Sequence, residues 1–332
     1  MHLQTALLIL GGLVLLVLGG ELLVRGAVRV AERLGVSPLL IGLTLVGFGT
    51  STPELVTSVQ AALIGSPGIA IGNIVGSNLA NILLILGASA LLMPLAIESR
   101  ALARDGLIGL GATLLFLAAA WTTGLGRGVG AGLVLLLILY LVYAYRQERG
   151  GAAEHTAAFD RAEAVEGVDH ALVPRPPKGA GAGAWIAPVA TALAGLVLIV
   201  LGGRWLVAGA IDFARLAGMT ETAIGLTIVA VGTSMPELVT SVVAALRRQA
   251  DVAVGNVLGS NIYNLLGIGG LTGLIAPTAI PGEIAAFDLP LLVGATLLLL
   301  LFAASGMRLN RVEGALLLGG YGAYVGWLLA GG

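Results

Sequence analysis

Two glutamates, Glu54 and Glu237, sit in the middle of strongly apolar stretches, each ending the pattern Gly-Thr-Ser-x-Pro-Glu. An ionised carboxylate in a membrane-like setting costs at least ~2.5 kcal/mol even on lenient insertion scales. A cation that neutralised both would offset that cost. Pro53 and Pro236 precede them. A proline inside a helix removes one amide and displaces the carbonyl four residues back, here that of Gly49 and Gly232. The neighbouring carbonyls of Gly47, Thr50, Ala230 and Thr233 are expected to be loosened too. Ser51 and Glu54, like Ser234 and Glu237, are three apart and share a helix face. The next apolar stretch in each half adds Ser77 with Asn81, and Ser260 with Asn264, each pair four apart. Carboxylate, hydroxyl, amide oxygen and carbonyl, with no His, Cys or Met, select hard ions such as Ca²⁺ or Na⁺ over zinc, copper or iron.

These groups come in duplicate because the chain repeats itself. Gly42 to Leu63 reads GLTLVGFGTSTPELVTSVQAAL and Gly225 to Leu246 reads GLTIVAVGTSMPELVTSVVAAL, with 17 of 22 positions identical at an offset of 183. The same offset relates IAIGNIVGSNLANILLILG (Ile69 to Gly87) to VAVGNVLGSNIYNLLGIGG (Val252 to Gly270), and Leu18–Gly20 to Leu201–Gly203. Two copies of one unit, each with costly polar residues in apolar helices, point to a site shared at their interface.

The composition places that interface in a membrane. Of 332 residues, 58% are hydrophobic and 11% charged, with a mean hydropathy of +1.01; a soluble domain carries roughly 25% charged residues. A net charge of −1 without a long basic patch excludes nucleic-acid binding, and zero cysteines exclude disulfides and thiolate chemistry. Neither a cofactor loop nor a nucleophile–base pair is evident, so an enzyme is not expected. No obligate protein partner is implied; the partners are Ca²⁺, Na⁺ and the lipid bilayer. The first apolar run reads as a retained helix, not a signal peptide.

Apolar runs predict an all-α membrane protein with ten transmembrane helices, at about 4–25, 38–63, 68–92, 106–123, 128–146, 185–209, 221–246, 251–275, 287–305 and 312–330. The polar stretch from Arg146 to Lys178 has no apolar period and reads as a flexible connection. The predicted organisation is a first five-helix repeat (1–147, its core about 38–92), a cytoplasmic linker (148–184), and a second repeat (185–332, its core about 221–275). An odd helix count per repeat forces the second copy to enter from the opposite side, an inverted topology. With both termini outside, 14 of the 17 basic residues fall inside, among them Arg25, Arg100, Arg161 and Arg247.

The bland reading makes GTSxPE a helix kink and GSNxxN a small-residue packing face. It accounts for Gly76, Ser77, Gly259 and Ser260, but not for two equivalent mid-membrane glutamates. For Asn73, Asn78, Asn256 and Asn261 the expected role is interhelical hydrogen bonding. Glu21 and Arg204 are expected at helix ends in the interface, and His2, His155 and His170 in solvent.

GTSTPE with GSNLAN, and GTSMPE with GSNIYN, resemble the paired repeats of the Ca²⁺/cation antiporter superfamily, and most of all the prokaryotic sodium/calcium exchangers. The resemblance spans Leu18 to about Gly270 apart from the linker. It implies ten helices in a prokaryotic inner membrane, four cation sites in a diamond, and exchange of Na⁺ for Ca²⁺ by alternating access. Carried over by motif position, Glu54 and Glu237 are the central carboxylates. Thr50 and Thr233 hold Ca²⁺ through backbone oxygens, and the carbonyls of Gly47 and Ala230 serve flanking Na⁺ sites. Ser51, Ser77, Ser234 and Ser260 supply hydroxyls, while Asn81 and Asn264 border the middle site. Some members carry an aspartate where Asn264 stands, associated with K⁺ use, so the resemblance argues against K⁺ co-transport. A proton-coupled antiporter of the same fold is the nearest alternative, since a desolvated glutamate can titrate near neutral pH; a cation channel is the third. The first and sixth helices are expected to slide against a fixed core.

Overall fold

The computed structural model describes residues 3–36, 38–96, 100–149, 155–169, 173, 183–306 and 308–330. In hydrocarbon a chain must satisfy its own amides, which leaves helix as the open choice for separate apolar runs. The described chain is almost wholly helical. Among the described residues, seven helices are long and apolar enough to cross a membrane: Leu3–Arg33, Pro67–Leu92, Arg104–Thr122, Arg127–Arg149, Trp185–Ala217, Ile284–Phe302 and Arg311–Leu329. The pair Glu221–Thr233 and Met235–Leu246, bent by 51°, makes up to eight. The expected runs at 38–63 and 251–275 are helical as well, but assembled from shorter α- and π-helical segments.

The first helix, Leu3–Arg33, lies along Gly183–Ala217. Both run well past the expected ends at 25 and 209. Their contact is lined by Gly12, Gly19 and Gly26 on one and Gly195, Gly202 and Gly209 on the other, each set spaced by seven and the sets related by the 183-residue offset. A Cβ at Gly12 would stand 2.6 Å from the Leu206 amide nitrogen, and one at Gly202 2.7 Å from that of Leu16. Between lipid-solvated helices such close packing replaces the hydrophobic drive.

The helix Pro67–Leu92 is buried along nearly its whole length. Around it the two halves interlock through their loops. Leu95–Ala96 pairs antiparallel with Arg308–Leu309, Leu95 facing Leu309, and Leu125 bridges Thr278 with amide–carbonyl distances of 3.1 Å both ways.

The connection between halves is not simply flexible, correcting the sequence reading. Ala157–Val168 forms a helix with Ala157, Ala158, Asp160, Arg161, Ala162, Ala164 and Val165 buried. It has no long apolar run, and its buried face is made of small alanines, Val165, Asp160 and Arg161, the last paired with Glu237. Its start is held by Glu148, which accepts from the Thr156 amide at 2.7 Å, and by Asp105, which accepts from the Ala157 amide at 2.7 Å. His155 is not simply solvated: it pairs with Glu148 at 2.7 Å and stacks on Phe159. His2 and His170 lie outside the described residues.

Candidate ion site

Both broken helices break in the same way. Ser51 (φ −83°, ψ 3°) and Ser234 (φ −85°, ψ 9°) sit in the bridge region of backbone space. The helices Thr52–Leu63 and Met235–Leu246 restart immediately after them with proline in the first turn, where its missing amide costs nothing. That places Glu54 and Glu237 in a helical first turn, whose unsatisfied amides favour negative charge. The segments before each break, Gly42–Val46 and Gly225–Val229, are π-helical, as are Ala80–Leu86 and Tyr263–Ile268 in the neighbouring helices.

Glu54 and Glu237 are each 1% exposed, and each is bonded by the serine of the opposite repeat. Ser234 Oγ donates to Glu54 Oε1 at 3.0 Å; Ser51 Oγ lies 3.4 Å from Glu237 Oε1. The serines were expected to share a face with their own glutamates, but sitting in the break they point across the repeat interface instead. Ser51 Oγ also lies 3.1 Å from Asn264 Oδ1. The asparagines of the following helices clamp each glutamate backbone. Asn73 Nδ2 donates to the Glu54 carbonyl at 3.1 Å and Ser58 Oγ at 2.9 Å; Asn256 Nδ2 donates to the Glu237 carbonyl at 3.4 Å and Ser241 Oγ at 2.7 Å.

The remaining expected ligands are placed as follows. Thr233 Oγ1 donates to Asn73 Oδ1 at 3.0 Å, while Thr50 Oγ1 accepts from Arg161 Nη2 at 2.8 Å. Ser77 Oγ lies 3.5 Å from the Ala230 carbonyl. That carbonyl also accepts from the Ser234 amide at 3.0 Å, so it is not freed by the break as the proline argument expected. Gly47 is buried in the turn before its break. Ser260 Oγ donates to its own helix at Asn256 O, 2.7 Å away. Asn81 Nδ2 reaches Asn261 Oδ1 at 3.0 Å, and Asn261 reaches the Asn78 carbonyl at 3.3 Å. Among the described residues, the buried oxygens Glu54 Oε2, Glu237 Oε2 and Asn81 Oδ1 accept no hydrogen bond, so the donor set retains the hard oxygens a Ca²⁺ or Na⁺ would take.

Two residues of the site escaped the sequence reading. Arg161, counted there among the inner-side charges, is fully buried and puts its Nη2 2.8 Å from Thr50 Oγ1, 2.6 Å from Ser51 Oγ and 3.2 Å from Glu237 Oε1. Its guanidinium lies over the Tyr263 ring, 4.9 Å from the centroid. Tyr263 stands where the first repeat has Ala80, and that mismatch in GSNLAN against GSNIYN was the one visible signal. Beside the site, a cleft of about 290 Å³ opens between the first helix and the broken helices, lined by Glu21, Thr50, Pro53, Pro236, Thr240 and Asp169. At its rim Arg25 pairs with Glu21 and, at 2.9 Å, with Asp169.

Comparison with known proteins places this geometry. Residues 4–146 and 187–330 each match the family described as sodium/calcium exchanger protein. The sodium/calcium exchanger MaX1 of Methanosarcina acetivorans is 38% identical over 96% of this chain and 97% of its own. The putative antiporter CaxA of Alkalimonas amylolytica is 37% identical, over 95% and 96%. Among solved structures, the sodium-calcium exchanger NCX_Mj superposes with a TM-score of 0.60 at 31% identity, covering 98% of this chain and 99% of that one.

Proposed function

The chain belongs to the sodium/calcium exchanger protein family, and from that premise we propose that Glu54 and Glu237 form the shared site through which Na⁺ and Ca²⁺ pass. It is an integral membrane transporter that exchanges Na⁺ for Ca²⁺, not an enzyme. The proton-coupled and channel alternatives are not favoured. The observation that carries the site is the crossed serine–glutamate pairing, which makes each carboxylate's environment depend on the other repeat.

Around it, Thr50, Ser51, Thr233 and Ser234 line the breaks, with Ser77, Ser260, Asn81 and Asn264 on the neighbouring helices and the Gly47 and Ala230 carbonyls flanking. The Ala230 carbonyl would have to give up bonds to bind an ion. One Ca²⁺, or several Na⁺ competing for overlapping oxygens, gives mutually exclusive occupancy, the requirement for exchange.

The membrane architecture we propose is ten helices, two inverted repeats of five (1–147 and 185–332) joined by a cytoplasmic segment (148–184), with both termini outside. Supporting the inversion, the loops at 95 and 125 flank opposite ends of the helix Arg100–Thr122. Leu309 pairs with the former, although its neighbour Arg308 is the repeat counterpart of Leu125. The glycine-seamed pair Leu3–Arg33 and Gly183–Ala217 is the element that moves: Val24 and Leu13 abut Gly49 and Gly232 just before the breaks. Exchange of three Na⁺ for one Ca²⁺ would move a net charge, worth ~2.3 kcal/mol per 100 mV.

Proteoliposomes given Na⁺, K⁺ and H⁺ gradients one at a time test the reading. Inward ⁴⁵Ca²⁺ flux should follow the outward Na⁺ gradient alone and rise with inside-negative to inside-positive change in potential; flux driven by a pH gradient without Na⁺ would overturn it.

A further inference from the structure

The two halves are alike in sequence but depart from symmetry at three matched places. Gly72 and Gly76 face Gly225, Leu226 and Ala230 of the opposite broken helix, so closely that a Cβ at Gly76 would meet the Leu226 carbonyl at 2.6 Å. Their counterparts Gly255 and Gly259 face the connecting helix instead: a Cβ at Gly255 would meet Asp160 Oδ2 at 2.5 Å, and one at Gly259 the Ala157 carbonyl at 2.8 Å. Thr233 bonds Asn73, but its counterpart Thr50 accepts from Arg161, and the buried Asn256 Oδ1 has no partner among the described residues. Ser77 reaches across to the Ala230 carbonyl, but Ser260 turns back to its own helix. At the first two places the helix Ala157–Val168 and its Arg161 stand where the first half makes a direct contact.

We infer that this helix is a tethered plug, an autoinhibitory contact in which the Arg161 guanidinium occupies the transported cation's place at Glu237, Ser51 and Thr50. The inference rests on Glu237 being an ion ligand. A guanidinium at 3.2 Å from Glu237 Oε1 satisfies the same carboxylate and hydroxyl oxygens that a hard cation needs, so the two compete. The helix also fills the space between the broken helix of the first half and Ala250–Ile262, which closes the site from the side that bears the connection. Its moorings lie at its ends, away from the ions: Glu148 and Asp105 at the start, the Arg247 guanidinium on the Gly167 carbonyl at 2.8 Å, and Arg25 on Asp169. Transport requires the plug to withdraw, and Ca²⁺ or Na⁺ arriving from that side must displace it. An ion that binds only the withdrawn form has its apparent affinity reduced by the fraction withdrawn.

The full chain tests this because it contains no native cysteine. Ala164, 3% exposed in the docked helix, is changed to cysteine, and its maleimide labelling is followed in proteoliposomes with and without Ca²⁺. Labelling should accelerate several-fold at saturating Ca²⁺; a rate indifferent to Ca²⁺ overturns the plug. In parallel, Arg161→Gln removes the guanidinium and Gly255→Ala wedges the helix off its seat. Both should raise the apparent Ca²⁺ affinity for ⁴⁵Ca²⁺ flux from the linker side about tenfold. Unchanged or lower affinity in Arg161→Gln contradicts the inference. If instead Glu237→Gln retains normal flux, it is the ion-site reading that fails, whatever Arg161→Gln does.

Discussion

The Ser234 hydroxyl donates to Glu54 Oε1 at 3.0 Å across 180 residues of sequence, and its repeat counterpart, Ser51, lies 3.4 Å from Glu237 Oε1. The two halves therefore exchange hydrogen-bond partners at their interface. On the proposed site, neither half alone supplies both carboxylates, so an ion would be held between the repeats while the glycine-seamed helix pair slides past them.

That exchange gives the first prediction. A hydrogen bond to a charged group contributes ~1.5–3 kcal/mol. Ser234→Ala should therefore weaken Ca²⁺ binding about tenfold or more while leaving the fold intact. It should do so although the serine lies in the repeat opposite Glu54. The Ca²⁺ dependence of Na⁺-driven ⁴⁵Ca²⁺ flux measures this, and an unchanged half-saturation would show that the bond does not shape the site.

The glycine seam gives the second. Gly19→Leu would put a Cβ 2.7 Å from the Ile199 amide nitrogen, forcing Leu3–Arg33 and Gly183–Ala217 apart. Overpacking of this kind costs ~1–3 kcal/mol. The expected outcome is a lower melting temperature in detergent together with reduced flux. Gly128→Ala, with nothing within 4 Å of its Cβ, should leave both unchanged.

A third prediction concerns pH on the linker side. Burial, with Asp251, Glu163, Glu148 and Asp105 around it, pushes the pKa of Asp160 up to about 8. Arg161 follows it in the chain. An aspartate in a free chain titrates near ~3.9, so the docked helix binds the proton more tightly than the withdrawn one. Docking is at full strength below the free value and is lost as pH rises towards about 8. Raising linker-side pH from about 6 to about 8 should therefore release the helix and increase labelling at Ala164→Cys. In the Asp160→Asn chain this pH dependence should flatten; an equally steep dependence would assign it to another group.

Much of the candidate site is legible because polar residues in apolar helices have few explanations. Pro53 and Pro236 announced the breaks, and the offset of 183 announced that Glu54 and Glu237 were equivalents. The asparagines at 73, 256 and 261 behave as interhelical donors, as their setting suggests, but Asn78 donates back to the Ile74 carbonyl of its own helix. What could not be read was direction. Spacing placed Ser51 on the face of Glu54, yet a serine in the bridge conformation turns its hydroxyl to the other repeat. The helix Ala157–Val168 was invisible for a different reason. Its sequence, AAFDRAEAVEGV, has no apolar period, and its buried face is made of alanines, Asp160 and an Arg161 that finds its partners only in the assembled fold. Arg161, with charge alone to judge by, looked like one more inner-side cation.

The most direct test of the shared site is equilibrium Ca²⁺ binding to purified chains carrying Arg161→Gln, so that no tethered cation competes, with and without Glu54→Gln or Glu237→Gln. Loss of either carboxylate should weaken binding by at least about a hundredfold, the ~3 kcal/mol expected when one member of a buried charged set is removed, and Na⁺ should displace Ca²⁺ only in the chain retaining both. Undiminished Ca²⁺ affinity in either glutamine variant would show that the two repeats do not hold one ion between them.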